Sequence, residues 1–282
     1  MKKQQQNESN SDKLIAKYSY ETQRKAKELR IIDDALFRLI AERKGVCQEI
    51  LRTLLDDDEL EVVSVTAQAS ISSLERGVTL DALCKLSNGT LCNIEMQKTD
   101  NEDDIKRVRF HAAMITANKT KKRTRFADIP SVKILYITEY DALENNQTIT
   151  HVTRCQNNKG KFIPVNDGED IIFANTAVKD GTKHTELLQL FLSKDSFQND
   201  NYPNLSDAMH HYKDTKEGVI EVCASIESYA IDRSVDTAIE TCLLLNQSKD
   251  VILKVVKKQF PEYDDEKISS RISFLWNQKE SE

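Results

Sequence analysis

No apolar run in this 282-residue chain approaches the ~20 residues that a membrane-spanning helix requires. The first residues, MKKQQQNESNSDK, lack the apolar segment of a secretory signal. Both absences lead us to expect a cytoplasmic protein with no membrane partner. The six cysteines, Cys47, Cys84, Cys92, Cys155, Cys223 and Cys242, contain no CxxC spacing. Most sit among apolar neighbours, so reduced core thiols are expected rather than zinc ligands or disulfides. There is no GxSxG, no phosphate-binding P-loop and no GxGxxG, which leaves serine hydrolases, Walker-type ATPases and dinucleotide enzymes without local support. His151, His184, His210 and His211 are scattered, and the adjacent pair lacks zinc-site spacing. We find no internal repeat.

A composition of 39% hydrophobic and 30% charged residues is polar, yet sufficient for a core. Length alone favours one globular domain with an appended helical region. A net charge of −6 argues against nonspecific coating of nucleic acid. Local patches nevertheless decide contact with phosphates. Lys106, Arg107, Arg109, Lys119, Lys121, Lys122, Arg123 and Arg125 form such a patch, read either as a phosphate track or as a solvated helix and loop.

Residues 1–12 read as a disordered polar segment and 13–30 as a charged stretch with a short helix. Asp33 or Asp34 would cap a helix bearing Leu36, Phe37 and Ile40, followed by a second helix from about Val46 to Leu55. Asp56 to Glu61 reads as a solvated acidic turn. Val62–Gln68 is an expected strand. Asp103 to about Lys119 has helical apolar spacing at Ile105, Val108, Ala112 and Ile115. Arg107 and Arg109 then diverge by roughly 200°, so at most one should face a site on the sheet. Ser131–Thr138 is a buried-strand run. Thr148–Cys155, Lys161–Val165 and Asp170–Ala177 suggest a β-rich annex divided by turns, the second being the Asp167-Gly168-Glu169-Asp170 turn. Helices are expected near Thr185–Leu192, Leu205–Tyr212, Lys216–Tyr229, Thr237–Leu245, Val251–Phe260 and Asp265–Trp276.

The most informative stretch is Val78–Gln97, VTLDALCKLSNGTLCNIEMQ, two β-prone arms around Ser87-Asn88-Gly89. One arm holds a lone acid, Asp81; the other holds Glu95 and, two residues on, Gln97. Residues two apart share a strand face. A two-residue loop would put the two acids on opposite faces. We favour a three-residue loop with Gly89 in the left-handed position, which sets Asp81 opposite Glu95. Facing carboxylates repel, so a site holding both calls for a cation, and hard oxygen ligands suit Mg²⁺.

This Asp…Glu-x-Gln pattern resembles the PD-(D/E)XK nuclease superfamily, with Gln at the usual Lys position. More closely it resembles the Rpn group of recombination-promoting nucleases, which often carry a transposase label. The similarity runs from about Ile31 to about Cys223, through IIDDALFRLI, GVTLDALCKLSNGTLCNIEMQ, KRVRFHAAMI, SVKILYITEYD and DGEDIIFANTAVKDG. It implies an α/β (α+β) fold: a restriction-endonuclease-like core with a central mixed sheet flanked by helices, a β-rich annex and a helical C-terminal region. The expected divisions are a polar segment 1–30, a nuclease-like domain 31–215 and a helical region 216–282. The resemblance implies Mg²⁺ or Mn²⁺ on Asp81 and Glu95, and Gln97 orienting water. Arg107 and Arg109 would bind phosphate, with Asp34 and His111 as accessory positions. Capping remains the simpler account of Asp34, and packing an equal account of His111. The implied partner is DNA, with a homodimer as an allowed assembly.

A neutral Gln cannot supply the full positive charge of Lys, which shifts that task to metal or arginine. Two readings therefore stand. One is a metal-dependent endodeoxyribonuclease, connected with recombination or mobile elements. The other is a degenerate PD-(D/E)XK fold serving as a DNA-binding or protein-interaction module. The presence of Asp81, Glu95 and Gln97 together favours the first. Strand transfer has no residue-level support.

Overall fold

The structure is a computed structural model that describes residues 11–71, 77–100 and 104–279. Of the segment 1–12 expected to be disordered, residues 1–10 lie outside the described residues, as does the helix start at Asp103, while Ser11 and Asp12 are helical and Ser11 is buried. Three helices come first: α1 (Tyr20–Glu28), α2 (Asp34–Ala41) and α3 (Lys44–Leu54). Strands β1 (Val62–Ile71), β2 (Val78–Leu86) and β3 (Leu91–Gln97) follow, then helix α4 (Asp104–Lys119) and β4 (Val132–Thr138). Next are β5 (Ile149–Val152), β6 (Cys155–Asn158), β7 (Lys161–Pro164) and β8 (Glu169–Asn175). The chain ends in α5 (Lys183–Leu190), α6 (Pro203–Asp214), α7 (Lys216–Leu244), α8 (Lys249–Gln259) and α9 (Asp265–Lys279).

Six strands form one mixed sheet in the order β1-β2-β3-β4-β8-β5. The β1/β2 and β2/β3 pairs are antiparallel, β3/β4 and β4/β8 parallel, and β5/β8 antiparallel. β4 and β8 carry apolar runs, Ile134–Ile137 and Ile171–Ala174, because both sheet faces are covered, whereas β3 is interrupted by Asn93 and Glu95. On one face, Cys92, Ile94, Leu135 and Ile172 pack with residues of α2, α3, α5, α6 and the first turns of α7. On the other, Leu91, Ile134, Tyr136 and Phe173 pack under Val108, Ala112 and Ile115 of α4.

This architecture corrects the expected annex. β8 is an inner strand of the main sheet and β5 its edge; only β6 and β7 form a separate two-stranded ribbon. Sequence spacing could not distinguish them, because β8 returns beside β4 only after the β5–β7 excursion, a pairing between segments distant in the chain. α7 also runs unbroken for 29 residues where two helices were expected. Its early residues Val222 and Cys223 complete the main core, whereas Val235, Ile239 and Cys242 pack with α8 and α9. The segment before residue 31 is likewise tied in: Ala26 is buried in the main core, and Lys213 Nζ donates to the carbonyls of Ala26, Lys27 and Leu29 at the end of α1. All six cysteines are free thiols, and all but Cys155 are buried. Among the described residues, no helix is long and apolar enough to cross a membrane.

Only Thr215 separates α6 from α7, so the two helices meet closely. Gly218 makes that contact possible: a Cβ there would lie 2.0 Å from the carbonyl oxygen of His211. Alanine ordinarily gains about 1 kcal/mol over glycine inside a helix. Here the backbone clash should win, and Gly218→Ala is expected to lower stability by about 1–3 kcal/mol, read as a reduced urea midpoint. An unchanged or raised midpoint would show that the crossing has slack.

Candidate active site

The β2–β3 loop is Ser87-Asn88-Gly89, with Leu86 N–H donating to Thr90 O at 2.9 Å and Gly89 at φ +86°. Asn88 Oδ1 accepts from Thr90 N–H at 2.9 Å and holds the turn. This three-residue loop fixes the register Ala82↔Ile94 and Cys84↔Cys92. One further step sets Asp81 opposite Glu95.

The regular ladder ends just there. Asp81 Oδ2 accepts the Met96 backbone N–H at 2.9 Å, so a side chain occupies the next bonding position. On its other side, Gln68 Nε2 lies 3.4 Å from Asp81 Oδ1. Gln68 has φ +51°, a left-handed backbone that twists β1. The consequence is visible in the packing. Ala67 and Ala82 meet the α2–α3 side of the sheet, while Ala69 and Leu80 meet the α4 side. Both strands therefore rotate through one face at the Gln68/Asp81 pair. This loss of alternation separates β2 from β3 beyond Asp81.

A cleft of about 600 Å³ is lined by Asp34, Asp81, Glu95 and Gln97, and across from them by Lys106, Arg107 and Arg109 of α4. The expectation that only one arginine could approach is corrected: both line the cleft, joined by Lys106. The cleft faces the first turns of α4 broadly, so side chains on either side of its apolar stripe reach the rim. Asp104 anchors this end of the helix, its carboxylate accepting Tyr136 Oη–H at 2.7 Å and Tyr140 Oη–H at 2.8 Å. Burial first, and the Asp104 carboxylate second, push both phenols well above the ordinary tyrosine value.

Glu95 is only 7% exposed. Its Oε1 accepts from Asn93 Nδ2 at 2.5 Å and lies 3.3 Å from His111 Nδ1. Asn93 is fully buried, and both Asn93 Oδ1 and His111 Nδ1 lack a hydrogen-bond partner. Lys106 was part of the basic patch read in the sequence, whereas Asn93 had not been singled out. Asn93 carries a signal in retrospect: a buried amide two residues before Glu95 shares its strand face. His111 is buried beside Glu95 and lines the cleft.

Asp34 does not cap α2. It is the first residue of the helix and lines the cleft, its Oδ2 accepting Tyr229 Oη–H at 3.0 Å from α7. Asp33 stands at the cap position without a capping hydrogen bond; its carboxylate instead accepts Arg30 N–H at 2.6 Å and Lys98 Nζ at 2.5 Å. Burial works to raise Asp33, but the Lys98 and Arg30 hydrogen bonds outweigh it and hold the carboxyl below its usual range. Lys98 directly follows Gln97 and so belongs to the opposite strand face. Engaged by Asp33, it does not replace the lysine that Gln97 lacks. Gln97 Nε2 donates to Thr99 O at 2.6 Å, leaving its amide oxygen as the remaining polar atom.

Burial, then the Glu95 charge, raise the Asp81 carboxyl well above its usual value, with Asp34 adding further repulsion. Among the described residues, no group of three or more His, Cys, Asp or Glu side chains gathers as a metal site. A divalent ion fits the donor set nonetheless: two hard carboxylates at a repulsive contact gain from a shared cation, and backbone carbonyl with water would complete the shell.

The Lys119–Arg125 part of the basic patch does not line the cleft. Those residues follow the far end of α4, about 20 Å along the helix from Lys106. Adjacency in sequence did not become adjacency in space because a helix intervenes.

A mixed sheet closed by helices, with an acid pair at a strand separation and cations opposite, defines a restriction-endonuclease-like protein. The chain belongs to the PD-(D/E)XK nuclease family transposases, a family that matches residues 34–194, more than half of its length. No curated protein and no solved structure matches it.

The raised Asp81 carboxyl has a sign that can be tested. Between the ordinary carboxylate value and the higher folded one, folding takes up a proton, so stability falls as pH rises through that window. Asp81→Asn keeps an acceptor for Met96 N–H and removes the charge. Its urea midpoint should match wild type near pH 4 and exceed it at pH 8, by about 1.4 kcal/mol for each unit of raised pKa. Mg²⁺ should stabilise wild type at pH 8 and leave Asp81→Asn unmoved. Parallel pH profiles for the two proteins would refute the repulsive pair.

Proposed function

We propose that the chain is a divalent-metal-dependent endodeoxyribonuclease centred on Asp81, Glu95 and Gln97. The observation carrying this reading is the cleft at the β2–β3 separation, where two mutually repelling carboxylates face Lys106, Arg107 and Arg109. On this reading residues 31–215 are the nuclease-like domain, and the region 216–282 supports it through the early turns of α7. The substrate is DNA, the location cytoplasmic, and the link to recombination or mobile elements follows the Rpn-like resemblance.

Mg²⁺ or Mn²⁺ held by Asp81 and Glu95 would supply Lewis-acid stabilisation of phosphate charge and ease deprotonation of water. The chain's own groups divide the remaining work. Asn93 fixes one oxygen of Glu95 from within the core, so the second oxygen is presented in a defined direction. The Met96 amide fixes one oxygen of Asp81 in the same way. Gln97 offers an amide oxygen that can accept from a water and orient it, without adding charge. Lys106, Arg107 and Arg109 then balance the phosphate oxygens, replacing the positive charge that a lysine at position 97 would have supplied. Tyr229 steadies Asp34 at the rim, where its carboxylate adds to the acid cluster.

The second reading, a binding module without catalysis, is favoured by one observation: the Gln97 amide is already committed to Thr99. Nicking of supercoiled plasmid with Mg²⁺ separates the two. Asp81→Ala and Glu95→Ala should each slow nicking by about a thousandfold or more, equivalent to several kcal/mol of barrier. Gln97→Ala should cost about ten- to a hundredfold, and Gln97→Lys should retain or raise the rate. Nicking by Asp81→Ala at the wild-type rate would overturn the assignment; an inactive wild type that still binds DNA would favour the module.

A further inference from the structure

The loop joining α4 to β4 has features that the cleft does not explain. Lys121 to Thr124 form a tight turn, with Thr124 N–H donating to Lys121 O at 3.1 Å. Its central residues are Lys122 and Arg123, and Arg123 adopts φ +71°, a backbone that side-chain-bearing residues rarely take. No ion pair engages Lys121, Lys122 or Arg123 among the described residues. The next residues form a 3₁₀ turn, Phe126–Asp128. Arg125 clamps it, Nε to Asp128 Oδ2 at 2.7 Å and Nη2 to Asp128 Oδ1 at 2.8 Å. On this turn Phe126 stands 92% exposed.

An ordered turn that holds an aromatic ring in water gains nothing from it within the chain. Here the turn is ordered by its backbone hydrogen bonds and the Arg125–Asp128 pair, and the ring stays outside it. The cations beside it decide which partner suits the ring. Unpaired lysine and arginine side chains attract a polyanion, and an exposed ring offers a face on which an unpaired base can stack. A duplex hides its base faces, so the ring would be wasted on it. The surface lies at the end of the sheet where β4 begins, about 20 Å along α4 from the cleft cations, and it shares no residue with the cleft.

We propose that the α4–β4 loop is a second, non-cleaving site for single-stranded nucleic acid, with Phe126 stacking on a base and Lys121, Lys122 and Arg123 tracking the backbone. The site does not depend on the nuclease reading. It would hold a strand away from the cleft that processes another part of the same molecule.

Fluorescence anisotropy of a labelled oligothymidylate, measured in chelator so that no cleavage occurs, tests this. The background is Lys106→Glu/Arg109→Glu, which reverses two of the three cleft cations. Phe126→Ala should weaken binding about 5- to 150-fold, the worth of one stacked base. Lys121→Glu/Lys122→Glu should weaken it further at low salt and flatten its salt dependence. All three loop residues are exposed, so unchanged circular dichroism melts are expected and verify folding. Equal oligothymidylate affinity in the loop variants and the background would overturn the proposal. So would a loss confined to self-association in sedimentation, which would make the ring a contact between copies of the chain. Because binding is read without metal, an inactive nuclease leaves this test intact.

Discussion

A single hydrogen bond, from the Met96 amide to the Asp81 carboxylate, sits where the geometry of the cleft is decided. In an uninterrupted antiparallel pair the next donor of β3 would meet a backbone carbonyl of β2. Here it meets a side chain, and the two strands part. The left-handed backbone at Gln68 turns β1 at the same level, so both strands exchange the face they present. A regular sheet would have filled this position with apolar side chains under α4. The interruption leaves room for a cleft, and it places one acid in the plane of the sheet and the other on the face beneath the helix.

The surroundings maintain that arrangement from three directions. Below Glu95, Asn93 holds one carboxylate oxygen inside a dry core, where a buried amide is tolerated only with a partner. Above, Asp104 fastens the start of α4 to Tyr136 and Tyr140, so the cations of its first turns stay at the rim. From the side, Arg30 binds Glu139 through Nη1 at 2.5 Å and Nη2 at 2.9 Å, while Asp33 takes Lys98. These pairs tie the approach to α2 onto the ends of β3 and β4. Asp34 reaches the cleft because the residue before it is committed elsewhere. Charge is thus sorted by position around the cleft: paired ions brace its walls, and repulsive acids line it.

Such sorting leaves energy unspent. Asp81, Glu95 and Asp34 would be more stable apart, and apolar residues there would stabilise the sheet. That acids are held together in this cleft is the physical argument for a ligand of positive charge. The basic loop after α4 is a mirror case, with cations and an aromatic ring kept exposed on a clamped turn. At both places the fold maintains groups that it does not itself satisfy.

The hairpin was legible in the sequence, because Asn88-Gly89 and the spacing of Asp81 from Glu95 act over a few residues. So were the helices α2, α3 and α4 and strand β4, whose apolar periodicities are local. Gln97, as a departure from lysine, could be read directly. Other features depended on contacts between distant segments. The placement of β8 inside the sheet followed from the parallel crossover, and the union of two expected helices into α7 from packing at both of its ends. Tyr229 meets Asp34 across 195 residues, and no pattern near either position announces it. Lys119–Arg125 looked close to the acids only along the chain, and α4 carried it away. Sequence by itself determined which chemical groups stand on each strand and helix face, since that is set by local backbone period. Tertiary structure decided which faces meet, because burial and strand pairing are settled between segments far apart in the chain.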